Sequence, residues 1–263
     1  MREIEPFLRF LGEGIQRELH RSLAFGCVTE ASNGSHNDMT YRHFCQSQES
    51  LLKSLRSCPW EEMTSFAFLR RYGCVMEKRM FEATGGVNTH KGLLFLVLFL
   101  AHAWTHSTPY DRLSDRVMTL AGPLREDDNY KKRIHRGIQD VRSLPLTGFR
   151  VIMTLVEEED WEEDLSLTLA LLERIDDTTT IQRSSLSRLR LLQEEAGKIR
   201  RELKDVHQSV QKQGLAHAEA LSRYYVSQGI SSGGVADCFV ITHLLGRWKG
   251  EEDGTNLPRT IHA

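Results

Sequence analysis

Apolar residues recur at helical spacing along most of the chain. Ile4, Phe7, Leu8, Leu11, Ile15, Leu19 and Leu23 predict an amphipathic helix over residues 4–24. A second pattern covers 39–55 and is broken at Cys58-Pro59. Residues 61–81 form a third, with Phe66, Leu69, Tyr72, Val75, Met76 and Met80 on one side. The stretch 93–104 is apolar all round, as a helix at the centre of a bundle is. Further helices are predicted at 109–121, 128–142, 147–157 and 160–175. The longest, 185–213, is charged, with Leu186, Leu189, Leu192, Ala196, Ile199, Leu203, Val206 and Val210 as its buried stripe. Helices at 216–228 and 236–247 follow, and the tail from Lys249 is expected to be frayed. No repeat or long linker divides the pattern. It predicts an all-α, single-domain multi-helix bundle over residues 1–248, with a polar tail at 249–263.

Charge removes one class of function. The 263 residues carry 34 Lys+Arg against 36 Asp+Glu, a formal net charge of −2, and no polybasic tract. A nucleic-acid binder working by bulk charge is disfavoured. The apolar run at 93–101 is about half the ~20 residues that span a bilayer, so no membrane partner is expected. The N-terminus has no apolar signal-peptide core. The five cysteines are odd in number and include no C-x-x-C pair, so neither a disulfide framework nor a zinc site follows. Reduced thiols in a cytoplasmic protein are the expectation.

The informative feature is positional. Four short segments rich in Gly, Asn, Thr, His and Asp sit where one helix ends and an apolar one begins: residues 33–38, 85–91, 176–183 and 231–237. Free backbone N–H groups and the macrodipole at helix N-termini suit phosphate oxygens. Paired glycines let a backbone approach a ligand closely. Carboxylates beside phosphates suit Mg²⁺. Any one segment alone reads as a capped helix with a tight turn. Four of them, carrying Asp38, His90, Lys91, Asp177 and Asp237, point to a shared site. Gly85-Gly86-Val87-Asn88-Thr89-His90-Lys91-Gly92 is the sharpest. It is not a Walker A loop, because the lysine precedes its glycine and no Ser or Thr follows.

That segment, read as Ala83-Thr-Gly-Gly-Val-Asn-Thr-His-Lys-Gly92, resembles the signature of the triphosphoribosyl-dephospho-CoA synthases. Asn33-Gly-Ser-His-Asn-Asp-Met39, Met76-Glu77-Lys78-x-Met80-Phe81, Asp177-Thr178-x-x-Ile181-x-Arg183 and Gly233-Gly234-x-Ala236-Asp237 resemble further family segments, in the family's order. There are departures. The family's first motif, roughly Pro-Lys-Pro-Gly-Leu-Val, is Leu23-Ala24-Phe25-Gly26-Cys27-Val28 here, without its lysine. Thr179 and Ser184-Ser185 stand for the family's Asn and paired Gly, and Ser232 stands for its Pro.

The resemblance implies joining ATP to 3′-dephospho-CoA with release of adenine, making the prosthetic-group precursor of citrate lyase or malonate decarboxylase. A downstream acyl-carrier-protein transferase is the further partner it suggests. It implies that Lys91, the Gly85-Gly86 backbone and Mg²⁺ hold the triphosphate. Asp38, Glu77, Asp177 and Asp237 are the candidate Mg²⁺ ligands, one of them left as base. Asn88, Thr89 and His90 would orient the ribose or leaving base, and His36 and Arg183 would contact phosphate. Asn33, Gly233 and Gly234 complete the expected nucleotide site, and Asp38, His90, Lys91 and Asp177 the catalytic set.

Two other classes fit the same residues. One is a catalytically weakened relative that binds a nucleotide or CoA-like ligand as a sensor or scaffold. The other is an all-α Mg²⁺-dependent nucleotide phosphohydrolase. His102 and His106 could share a metal at i,i+4 spacing, but a buried helix end meeting solvent explains them better. The acidic run 157–164 reads as a solvated loop and helix N-terminus.

Overall fold

A computed structural model describes residues 1–126, 138 and 140–255. Among these, eleven α-helices account for the regular structure, with no strand. They are α1 (Glu5–Leu19), α2 (Tyr41–Arg56), α3 (Phe66–Ala83), α4 (Lys91–Thr105), α5 (Leu113–Ala121), α6 (Arg150–Glu158), α7 (Asp164–Arg174), α8 (Thr178–Arg183), α9 (Leu186–Leu203), α10 (Gln208–Ser227) and α11 (Gly233–Glu252). Short 3₁₀ turns cover Trp60–Glu62, Tyr110–Arg112, Gly122–Glu126 and Val141–Thr147. No helix among the described residues is long and apolar enough to cross a membrane.

The two most apolar helices form the middle. Residues 96–105 of α4 are all buried, which is why that stretch shows no polar face. Helix α11 lies against α1, α4, α6, α7 and α8. Trp104 of α4 meets Trp248 of α11 edge to face at 5.0 Å, and Phe7 and Phe10 of α1 pack on Trp104. Both indoles are satisfied: Trp104 Nε1 donates to the Glu3 carbonyl at 2.7 Å and Trp248 Nε1 to Glu252 at 2.8 Å. A buried ion pair ties the helices further. Arg21 donates to Glu18 at 2.7 Å and to Thr168 of α7 at 3.1 Å, with its guanidinium over the Phe239 ring of α11. All five cysteines are free.

Three expectations need revision. The charged helix over 185–213 is two helices, α9 and α10, turned at residues 204–207. Asp205 accepts the His207 N–H at 2.8 Å, and Gly214 lets α10 come close to Glu202 and Leu203 of α9. Val206, placed in the buried stripe by periodicity, sits in that turn and is 91% exposed. The last helix begins at Gly233 and runs to Glu252, past the point where fraying was expected. The helix predicted at 128–142 falls largely outside the described residues, and its end is the 3₁₀ turn that starts at Val141.

One glycine holds two distant loops together. Gly26 has φ +80°, and a Cβ there would lie 2.0 Å from the Ile230 carbonyl oxygen. Ser35 donates to the same carbonyl at 2.5 Å. Gly26→Ala should therefore lower the stability by about 2–4 kcal/mol, through a strained φ and a backbone clash together. Chemical denaturation checks this, and a loss below 0.5 kcal/mol would contradict it.

Candidate active site

The four polar segments meet. His36 and Asp38, Asn88 to Lys91, Thr178, Thr179 and Arg183, and Ser231, Gly233, Gly234 and Asp237 line one cavity of about 520 Å³. The volume lies within the ~300–1,000 Å³ range of small-molecule sites. Helices α4, α8 and α11 all begin at its wall. The N-terminal end of a helix is positive, but Asp177 already takes first-turn N–H groups of α8 and α11.

Asp177 fixes two of those helix starts. Its Oδ1 accepts from the Thr179 and Thr180 N–H groups at 2.7 and 3.1 Å, capping α8. Its Oδ2 accepts the Val235 N–H in the first turn of α11 at 3.0 Å. The side chain is buried behind the cavity wall, and burial raises its pKa against the lowering effect of those N–H groups. Arg183 does similar work from outside. It donates to the Ser35 and Gly229 carbonyls at 3.0 and 3.1 Å and to His36 Nδ1 at 3.1 Å. Because a guanidinium cannot accept, His36 Nδ1 is the acceptor and Nε2 carries the proton, donated to Ser231 Oγ at 2.9 Å. Burial and Arg183 lower the His36 pKa, in keeping with that neutral form.

The signature segment supplies the most varied chemistry. His90 precedes α4, buried, with Nδ1 2.8 Å from Ser47 Oγ and its ring edge to face with Phe44 at 5.0 Å. Burial pushes its pKa down to about 4, so the imidazole is neutral. The Thr89 hydroxyl is buried, and no hydrogen bond engages it within the described residues. Lys91 lies at the cavity edge, its Nζ 2.5 Å from Glu77 of α3. Gly85 and Gly86, at φ +65° and +94°, form the exposed turn from α3 into the segment, off the cavity wall.

The carboxylates differ sharply in setting. Asp38 is open to solvent, with 69% of its side chain exposed. Asp237 packs on Gly92: its Oδ2 would lie 2.0 Å from a Cβ there, so any larger residue must push the carboxylate aside. Burial, with Asp177 and Glu18 close by, raises the Asp237 carboxyl well above the usual range. Glu77 lies away from this cavity, in the neighbouring groove. Asn33 reaches the site only through its backbone, its carbonyl accepting from the His36 N–H at 3.1 Å. Among the described residues no three His, Cys, Asp or Glu side chains are grouped to hold a metal unaided. The His102 and His106 rings stack at 4.0 Å, and His102 Nε2 is 2.7 Å from the Met63 carbonyl.

Two charged lining residues have no counterpart in the motif reading. Glu18 reaches the cavity from α1 with its charge held by Arg21. It occurs in a run that reads only as amphipathic helix. Arg142 lines the cavity from the turn before α6, and among the described residues it has no ion-pair partner. Neither carries a local sequence signal.

Comparison with known proteins gives the class. The profile of the CitG family, ATP:dephospho-CoA triphosphoribosyl transferase, matches residues 9–128 and 133–255, and the chain belongs to that family. It is 28% identical to Protein CitXG of Haemophilus influenzae, over 93% of this chain and 61% of that protein. The chain thus spans under two thirds of that relative. It is 26% identical to the probable 2-(5''-triphosphoribosyl)-3'-dephosphocoenzyme-A synthase of Vibrio cholerae, over 87% of this chain and 83% of the relative. With the 2-(5''-triphosphoribosyl)-3'-dephosphocoenzyme-A synthase of Escherichia fergusonii it shares 24% identity over 86% of each chain. No solved structure matches it.

The neutral His90 makes stability depend on pH. An unfolded histidine takes a proton near ~6.5, whereas folded His90 takes one near about 4. Its burial therefore leaves stability intact above ~6.5 and erodes it as pH falls toward about 4, by on the order of 3 kcal/mol. Glu18, Asp177 and Asp237, with raised pKa values, act in the opposite sense: their contribution is lost as pH rises through the folded value. Thermal melts should show His90→Gln with a flatter acid slope than wild type between pH 6.5 and 4. Identical slopes would mean His90 is not held neutral.

Proposed function

We propose that the cavity binds ATP and 3′-dephospho-CoA and joins them by glycosyl transfer. The 2′-hydroxyl of dephospho-CoA attacks the anomeric carbon of the ATP ribose. The bond to adenine breaks, and the triphosphate remains on the product. The supporting observation is the convergence of three helix N-termini, Lys91 and Arg142 on one cavity in a chain of this family. A downstream acyl-carrier-protein transferase of a citrate lyase or malonate decarboxylase system is the partner that would use the product.

The triphosphate lies against Lys91 and the start of α4, since Asp177 already takes first-turn N–H groups of α8 and α11 and Arg142 stands toward the acceptor. The glycines at 85 and 86 act at one remove, by shaping the turn that presents Lys91. Arg183 and Asp177 hold the walls, their polar atoms already engaged by protein groups. Mg²⁺ favours one or two carboxylates plus phosphate and water, and Asp38, the solvent-exposed carboxylate of the wall, would be the ligand, leaving Asp237 as base. An ion held there with the nucleotide would neutralise triphosphate charge.

The transition state of such a transfer has oxocarbenium character, so a carboxylate near the ribose helps. Asp237, more basic than an ordinary carboxylate, is suited to take the 2′-hydroxyl proton as the new bond forms. His90, neutral and fixed by Ser47, can hydrogen-bond the departing adenine without placing a charge beside it. Thr89 and Asn88, both on the cavity wall, would meet the ribose hydroxyls.

Incubation with ATP and dephospho-CoA should give free adenine and a product heavier by one triphosphoribosyl unit, read by mass spectrometry. Tight binding without adenine release would support a scaffold instead, and released phosphate or pyrophosphate a phosphohydrolase. Lys91→Ala should abolish adenine release with the fold retained, and near-wild-type release would reject its assignment. Gly92→Ala, which drives a methyl group into Asp237, should lower kcat at least 100-fold while helix content by circular dichroism stays unchanged.

A further inference from the structure

A second groove opens beside the first cavity, between α3, α4 and the Gly122–Glu126 turn. Its volume is about 280 Å³. That is at the lower edge of the ~300–1,000 Å³ typical of ligand sites, enough for one thin chain and too little for a second nucleotide. The walls are largely apolar and aromatic, with Phe66, Phe95 and Leu98 among them, and Arg70 and Glu77 add charge. Phe66 and Phe95 are only partly buried, and both are steadied by Phe99, at ring distances of 6.1 and 5.3 Å. Cys74 is exposed at the rim.

Two cations join the groove to the polar cavity: Lys91 and Arg142 line both. A ligand running from one to the other would have its negative charge at that junction and its uncharged part among the phenylalanines. Dephospho-CoA has this order of parts. Its adenosine carries a diphosphate, and beyond the diphosphate runs the pantetheine arm, a slender uncharged chain with a dimethyl-substituted carbon, two amides and a terminal thiol.

We propose that this groove is the subsite for the pantetheine arm, so that the acceptor crosses the Lys91–Arg142 junction with its ribose in the polar cavity. The inference rests on the acceptor proposed above. The groove explains why the reaction takes a CoA derivative rather than any adenosine nucleotide with a free 2′-hydroxyl. Burying the arm's methyl and methylene groups against aromatic walls supplies binding that ADP, which lacks the arm, does not receive.

Isothermal titration with dephospho-CoA and with ADP tests this without turnover. Wild-type protein should bind dephospho-CoA at least tenfold more tightly than ADP. Cys74→Trp, which fills the groove from an exposed position, should bring dephospho-CoA to the affinity of ADP and leave ADP binding within twofold. Cys74→Ser should keep the wild-type preference. Leu124→Trp repeats the block from the Gly122–Glu126 turn if Cys74→Trp loses helicity. Equal wild-type affinity for the two ligands, or a preference that survives a folded blocking variant, overturns the subsite. Failure to release adenine with an intact arm preference would instead sink the transfer reaction and leave the subsite standing.

Discussion

The site depends on one carboxylate that the solvent never sees. Asp177 caps its own helix, α8, and binds the first turn of α11, which lies far away in sequence. A buried carboxylate is costly unless its oxygens find donors, and this one finds them only when both helices start at the correct place. Its satisfaction and the shape of the cavity are therefore the same condition. Gly234 belongs to this arrangement, since a Cβ there would stand 3.3 Å from the Asp177 carboxyl and 2.8 Å from Val141. The cavity wall is thus set by backbone amides pinned to a single side chain, with Arg183 bracing the loop of residues 33–38 against it.

Around that clamp the polar groups divide between those that build and those that remain available. Asp177, Arg183 and His36 are consumed by protein contacts. Among the described residues Arg142 has no ion-pair partner and the Thr89 hydroxyl no hydrogen bond, and both residues line the cavity. The chemistry proposed for Asp237 follows from close packing: Gly92 leaves just enough room for its carboxyl group, and burial and the neighbouring acids make it hold its proton more firmly. Such crowding of acids is unfavourable for folding alone and characteristic of places where protons are moved.

Much of this could be read from the chain, for reasons that differ by element. Helices α1 to α5 were legible because each buries one continuous stripe, and α4 because it has no polar stripe at all. The turn between α9 and α10 was not, since Val206 keeps the apolar period through a break made by Asp205 and by the close approach at Gly214. The convergence of the four segments was visible as composition, glycines with polar residues ahead of apolar helices. The division of labour within them was hidden: nothing local separates Asp177, which props up two helices, from Asp237, which faces the cavity. Glu18 and Arg142 were invisible because each is brought to the wall by packing of distant elements rather than by a motif.

If the cavity takes a triphosphate as proposed, the ion pair between Lys91 and Glu77 would set a threshold for whatever enters. An anion that takes the ammonium must leave Glu77 without its partner, so a small monoanion trades one contact for another and gains little. A polyanion long enough to reach the start of α4 at the same time would recover the loss. On that reading the resting pair would favour long polyphosphates over orthophosphate.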